Sequence, residues 1–253
     1  MRRLALVTGG SSGIGAAIAL ALARRGWDLL LVARRRERLD AVADAARASG
    51  ATVEASALDV RDGAAVRAWA EGCVESLREL SLLVNNAGLA RGLATVQEGE
   101  VADWDEMLDT NVKGLLHVTR AVLPHMIARG AGDVVNIGSV AGHRVYPKGV
   151  VYCASKAAER VITEGLRMDL LGTGVRCCTV DPGLVEDTEF SLVRFHGDEA
   201  RAGAVYRGTR PLKAEDVAEA VAWVVERPPH VNVAELVVYP TDQAAPTMVH
   251  RRD

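Results

Sequence analysis

The feature that most narrows the fold is a regular alternation. Seven short β-rich runs, "LALVTG", "DLLLVAR", "TVEASALDV", "LSLLVNNAG", "GDVVNIGSV", "VRCCTVDPG" and "ELVVYPT", are separated by longer stretches with helical spacing. Those stretches cover residues 13–25, 37–49, 62–79, 103–129, 150–171 and 214–227. Strands alternating with helices make βαβ units, and runs apolar on both faces belong to a parallel sheet covered by helices on each side. The expected fold is α/β, a doubly wound parallel sheet of about seven strands. No linker, repeat or low-complexity tract divides the chain, so residues 1–253 are read as a single domain with one large core. Residues at about 184–212 break the rhythm with mixed charges, glycines and aromatics, and a segment of that length after a strand end is expected to be a substrate lid.

Thirty Lys and Arg against thirty-three Asp and Glu leave a formal charge of −3, which supplies no broad basic face for nucleic acid. No apolar run approaches the ~20 residues that span a bilayer. The opening "MRRLALVTGG" sets two arginines before an apolar run as a signal peptide does, but that run is four residues long and ends in glycines, so it is read as the first strand. Cys73, Cys153, Cys177 and Cys178 show no CxxC spacing, and the six histidines form no HExxH pair. The thiols are read as structural, in a reducing cytoplasm, and no metal is implied.

"VTGGSSGIGAAIALALARRG" runs from a strand through a glycine turn, Gly9, Gly10, Ser11, Ser12, Gly13, Ile14 and Gly15, into a helix. Bare backbone there can approach a phosphate, and a helix start offers free N–H groups and the positive end of its dipole. Where a dinucleotide site of the NAD type carries an acid for the ribose, the second strand ends in Arg34, Arg35 and Arg36. Guanidiniums there suit a 2′-phosphate, hence NADP. A solvated helix start, or Glu37 as the acid, are the alternatives. Asp59 and Val60 end the third strand, and Asn85, Asn86, Ala87 and Gly88 end the fourth, where adenine and ribose are expected, although the two asparagines can equally bridge strands.

Ser139 closes the fifth strand, and thirteen residues later Tyr152 opens a helix on which Lys156 shares its face. Asn111 lies on the preceding long helix, where it could open a water path. A free tyrosine has a pKa of ~10, and work near neutrality calls for a drop of about three pH units, or about 4 kcal/mol. One cation ~4 Å away at an effective dielectric of 20 contributes about that much. Tyr152 could then give up a proton when a carbonyl is reduced and take one when an alcohol is oxidised.

Together "TGGSSGIG", "NNAG", Asn111, Ser139, "YCASK" and "DPG" resemble the short-chain dehydrogenase/reductase superfamily, from residue 5 to about 190. The resemblance implies a Rossmann-type sheet, a Ser139, Tyr152, Lys156 triad helped by Asn111, and hydride transfer with nicotinamide. It implies that Lys156 also holds the nicotinamide ribose, and that the stretch from Pro182 to about Phe190, with Gly183, Val185 and Thr188, packs on the nicotinamide. It further implies NADP through Arg34, and a homodimer or homotetramer built on the two long helices. The second half, with "TEFSLVRFHGD", is similar to the NADP-dependent 3-hydroxy acid dehydrogenases, which act on serine, allo-threonine or 3-hydroxypropionate-like acids and the matching semialdehydes. A carboxylate-bearing substrate needs a cation, for which Arg144, Lys148 and Arg194 are the candidates. Between Ser139 and Tyr152 the chain departs from that subfamily, with Arg144, Lys148 and Val150 where an aromatic, a glycine and an asparagine are expected. A reductase of another small aldehyde, ketone or 3-oxoacyl compound, an NADP(H)-sensing regulator and a nucleotide-sugar epimerase are the alternatives.

Overall fold

A computed structural model of the chain describes residues 3–252. In chain order the elements are β1 (Arg3–Thr8), α1 (Gly13–Arg24), β2 (Trp27–Ala33), α2 (Arg36–Ala48), β3 (Val53–Ala57), α3 (Gly63–Gly72), α4 (Val74–Arg78), β4 (Leu80–Asn85), α5 (Val101–Leu108), α6 (Leu115–Arg129), β5 (Gly132–Ile137), α7 (Val150–Asp169), β6 (Val175–Pro182), α8 (Phe190–Arg194), α9 (Glu199–Ala204), α10 (Ala214–Val225) and β7 (Glu235–Val238), followed by a small hairpin of β8 (Gln243–Ala245) and β9 (Met248–Val249). Strands β1 to β7 form one sheet in the order β3–β2–β1–β4–β5–β6–β7, with every pairing parallel. It is the doubly wound sheet that the alternation implies. No helix among the described residues is long and apolar enough to cross a membrane.

β1 shows why the strands read as continuous apolar runs. Ala5 and Val7 pack with Ile18, Leu22, Leu39 and Val221 of α1, α2 and α10, whereas Leu6 packs with Val66, Leu77, Val118 and Met126 of α3, α4 and α6. Both faces are covered, and a fully buried leucine such as Leu6 stabilises the fold by about 2 kcal/mol. Local signals close the helices. The Asp62 carboxylate accepts from the N–H groups of Ala64 and Ala65 at 3.0 Å each, and Gly130 ends α6 with φ of 74°.

Three local features go beyond the sequence pattern. The helix expected over 103–129 is interrupted by a π turn at Asp109–Gly114, which buries Thr110 and Asn111. Gly114 sits there against Val60, whose Cγ2 would be 2.7 Å from an added Cβ. The 184–212 segment holds α8 and α9, and its ends are joined by a parallel bridge between Val185 and Leu212. Finally, the β8–β9 hairpin follows the last predicted strand, and Asp242 just before it binds the Arg210 N–H and the Arg252 guanidinium at 2.8 Å each.

The strand order reverses between β1 and β4, whose following connections leave in opposite directions along the sheet. Such a reversal opens a crevice at the carboxyl ends of the strands. Here it lies beside Thr8 and Asn85.

Candidate active site

A cavity of about 640 Å³ opens over that crevice. At one end the chain leaves β1 through Gly9, with φ of 65°, and enters α1 at Gly13, with φ of 51°. A Cβ on Gly15 would lie 2.4 Å from both the Gly9 carbonyl oxygen and Asn86 Nδ2, so only glycine fits beneath the turn. Asn86 Nδ2 donates to the carbonyls of Thr8 at 2.9 Å and Gly9 at 3.3 Å, which ties the turn to β4. Ser12 makes no side-chain cap on α1, leaving the first N–H groups of that helix for a ligand.

Arg34 and Arg35 follow β2 and line the same end of the cavity. Arg35 donates to Ser12 Oγ at 2.7 Å and pairs at 2.6 Å with Glu189, whose carboxylate also pairs with Arg38. The Arg35 hydrogen bond above all, with help from Arg38 and Ser12, holds the Glu189 carboxyl down at about 2. Arg34 meets Glu106 at 3.5 Å. Asp59 lines the cavity, although Arg61 Nη2 holds its carboxylate at 2.6 Å. Glu37, in the first turn of α2, lies outside the cavity lining.

At the other end, α7 presents Tyr152, Lys156 and Glu159, spaced i, i+4, i+7 and therefore on one face. They are only 7%, 6% and 2% exposed. Lys156 Nζ donates to the Ile137 carbonyl at 3.0 Å and to both Glu159 oxygens at 2.9 Å. Ser139 Oγ accepts from the Ala141 N–H at 3.1 Å. Burial pushes Tyr152 above its ordinary value and Glu159 adds to the rise, while the neighbouring Ser139 hydroxyl and the Arg194 guanidinium oppose it. The ammonium that sequence reasoning set beside Tyr152 is itself paired with the Glu159 carboxylate. Burial likewise pushes the Glu159 carboxyl well above the usual carboxylate range, against the pull of Lys156.

Asn111 is fully buried and lies outside the cavity lining. Its Nδ2 donates to the Leu89 carbonyl and to Ser155 Oγ, and its Oδ1 accepts from the Leu89 N–H, all at 2.9 Å. Asn85 takes the bridging role. It donates to Thr119 Oγ1 and Asn136 Oδ1 at 2.9 Å each, and Asn136 donates in turn to Thr163 Oγ1 at 2.8 Å.

Beyond Tyr152 the cavity is closed by Phe190, whose ring stands edge-on to Tyr152 with centroids 5.6 Å apart, and by Arg194 at the end of α8. Arg194 donates from Nε to the Gly92 carbonyl at 3.1 Å and from Nη2 to the Tyr146 hydroxyl at 2.7 Å. Its guanidinium lies 5.2 Å from the centre of the Tyr146 ring and 5.7 Å from that of Tyr152. A fixed cation thus stands beside the tyrosine in otherwise largely apolar walls.

The sequence pattern of the short chain dehydrogenases matches residues 3–197. The chain belongs to the short-chain dehydrogenases. It is 48% identical to sulfoacetaldehyde reductase 2 of Chromohalobacter salexigens over the full length of both chains. It is 45% identical to the NADP-dependent 3-hydroxy acid dehydrogenase of Salmonella typhi, over 98% of this chain and 99% of that one. Among solved structures, the closed form of serine dehydrogenase complexed with NADP+ matches with a TM-score of 0.92 at 42% identity, over 99% of this chain and 100% of that one.

In this short-chain dehydrogenase the cavity lining contains Ser11, Ser12, Ile14, Val60, Ala87, Gly88, Ser139, Pro182, Gly183, Val185 and Thr188 together with the residues already placed there. Among the predicted cofactor residues Gly10 and Gly15 lie beneath the turn rather than in its wall; Gly10 rests on Leu31. Two of the three predicted substrate cations lie outside the lining of this larger cavity, Lys148 beside a smaller one that Tyr152 also lines. Arg144 is exposed and lines no part of the cavity, and Lys148, with φ of 65°, borders a neighbouring cavity of about 240 Å³ that also touches Arg194. The short turn Val140–Gly142 carries residues 143–145 outward, so Tyr146 and Pro147 return to the wall instead. Glu159 and Tyr146 are the neighbours that sequence reasoning missed, whereas Glu189 and Phe190 belong to the stretch from Pro182 to about Phe190 expected beside the nicotinamide.

A nicotinamide dinucleotide fits this short-chain dehydrogenase on the chain's own features. The glycine turn rejects side chains where a pyrophosphate needs room, the start of α1 is uncapped, and a carboxylate, that of Glu189, is already gripped by Arg35 and Arg38 at the same end. Gly9, Gly13, Arg34 and Arg35 would hold the phosphate-bearing half, and Lys156 the ribose beside Tyr152.

Proposed function

We propose that this short-chain dehydrogenase uses NADP(H) to interconvert a small aldehyde bearing an anionic group on the adjoining carbon and the matching alcohol, such as a 3-hydroxy acid. The observation that carries this reading is Arg194, a guanidinium braced by Gly92 and Tyr146 and set over the Tyr152 ring. A carboxylate or sulfonate bound there leaves the next-but-one carbon near Tyr152. The relatives named for 3-hydroxy acids and for sulfoacetaldehyde share this chemistry, an anion on the carbon next to the reacting one. Arg34 and Arg35 support NADP over NAD, since each can present planar donors to a 2′-phosphate.

Bound nicotinamide supplies or takes the hydride. Arg194 orients the substrate by its anion, and Ser139 donates a hydrogen bond to the carbonyl oxygen. Tyr152, protonated in its buried setting, transfers its proton to that oxygen as the alcohol forms. Lys156 holds the ribose and faces Tyr152, while Asn111 fixes the loop at Leu89 behind them. Exposed Val161 and Met168 on α7, with Leu116 and Ile127 on α6, support a homo-oligomer built on these helices.

The test is a panel of sulfoacetaldehyde, malonate semialdehyde and uncharged propanal, each offered with NADPH and with NADH. The anionic aldehydes are expected to exceed propanal by about 30-fold or more in kcat/KM, with NADPH the better cofactor. A preference for propanal, or equal use of NADH, overturns the reading.

A further inference from the structure

The buried pair of Lys156 and Glu159 is the least expected part of the site. A lysine meant to acidify a neighbouring tyrosine is most effective with its charge uncompensated. Here both carboxylate oxygens of Glu159 sit 2.9 Å from Nζ, and the two side chains are almost wholly buried. The third bond of Nζ, to the Ile137 carbonyl at 3.0 Å, leaves the ammonium in one place. We propose that Glu159 is a positioning residue that fixes Lys156 and cancels much of its charge, keeping the Tyr152 hydroxyl protonated and the site poised to give a proton to a carbonyl at neutral pH. This rests on the reading of Tyr152 as the proton donor.

The charges around the pair act in both directions. On the strand side, Asp181 of β6 faces Glu159 and disfavours its ionisation. Asp181 is itself partnered by His143 Nε2 at 2.9 Å, a nitrogen that also lies 3.4 Å from Glu235 of β7. On the cavity side Arg194 of α8 faces Tyr152 and pulls the other way. Along α7 the ionised Glu159 raises Tyr152 through a separation of seven residues, or ~10 Å. One charge at that distance and an effective dielectric of 20 moves a titration by about one pH unit.

The test follows the ionisation of Tyr152 in the NADP+-loaded protein by NMR of isotope-labelled tyrosine, the signal being identified among the four tyrosines by its loss in Tyr152→Phe. Glu159→Gln keeps a hydrogen-bonding partner for Lys156 and removes the charge. Its Tyr152 signal is expected to titrate about one pH unit below wild type, and the alkaline limb of aldehyde reduction to fall with it. Glu159→Asp restores the wild-type position, and Glu159→Leu gives a second removal of charge if the glutamine variant does not fold. An unmoved Tyr152 signal in the charge-free variants overturns the proposal, and so does a wild-type Tyr152 that already ionises near neutrality. Because the NMR titration needs no substrate, absence of aldehyde reduction in every form counts against the proposed function and leaves the assignment of Glu159 to be decided by the signal.

Discussion

Arg194→Met removes the guanidinium that stands beside Tyr152 while keeping most of the side chain's apolar volume. A substrate anion ~4 Å from a unit charge at an effective dielectric of 20 gains about 4 kcal/mol before its own desolvation. Arg194 is half-buried and its Nε and Nη2 already serve Gly92 and Tyr146, so a net loss of about 2–3 kcal/mol is the reasonable figure. That corresponds to a fall of about 30- to 150-fold in kcat/KM for an anionic aldehyde. The assay is NADPH consumption, run in parallel with an uncharged aldehyde of similar size, for which the loss should stay under about fivefold. Tyr146→Phe deletes only the brace and should cost about fivefold with the anionic substrate. Equal losses for charged and uncharged aldehydes would show that Arg194 shapes the pocket and does not read the anion.

Three further outcomes follow from the same geometry. Arg34→Asp should raise the KM for NADPH by about 10- to 100-fold and leave NADH use within about threefold, measured by steady-state kinetics with both cofactors; equal damage would refute a 2′-phosphate at this position. Glu189 is depressed in the folded chain, so its ion pairs stabilise the fold above the unfolded carboxyl value and are lost as pH falls toward 2; discounted for exposure, Glu189→Gln should cost no more than about 1 kcal/mol at neutral pH, a difference that thermal melts should show shrinking between pH 5 and 2. Gly15→Ala must displace Asn86 or the Gly9 carbonyl, so NADPH affinity by calorimetry should drop at least about tenfold with a lowered Tm.

The layered sheet was legible because burial on both faces writes itself as apolar runs of strand length, and the helical stretches between them ended within a few residues of the observed ones. The glycine turn, Ser139, Tyr152 and Lys156 were legible for a related reason: each needs a particular residue type at a short, fixed spacing. Side-chain direction in an irregular loop has no such period, which is why Arg144 and Lys148 pointed to a substrate cation while Tyr146 and Pro147 supply the wall. Glu159 was hidden by its helix, since a glutamate three residues after a lysine reads as an ordinary surface pair. Only the packing of α7 against β5 and β6 turns that pair inward. The π turn at 109–114 changes a hydrogen-bond register and leaves the residue pattern helical, so Asn111 emerged from the sequence as a polar group without its partners Leu89 and Ser155.

The most direct test of the proposed chemistry is NADPH-dependent reduction of sulfoacetaldehyde and malonate semialdehyde by wild type and by Tyr152→Phe, with NADPH binding measured on both. Loss of the proton donor should lower kcat by about 10²- to 10⁴-fold while the Kd for NADPH stays within about threefold. A phenylalanine variant that still reduces either aldehyde within tenfold of wild type, or a wild type that binds NADPH and reduces neither, would contradict it.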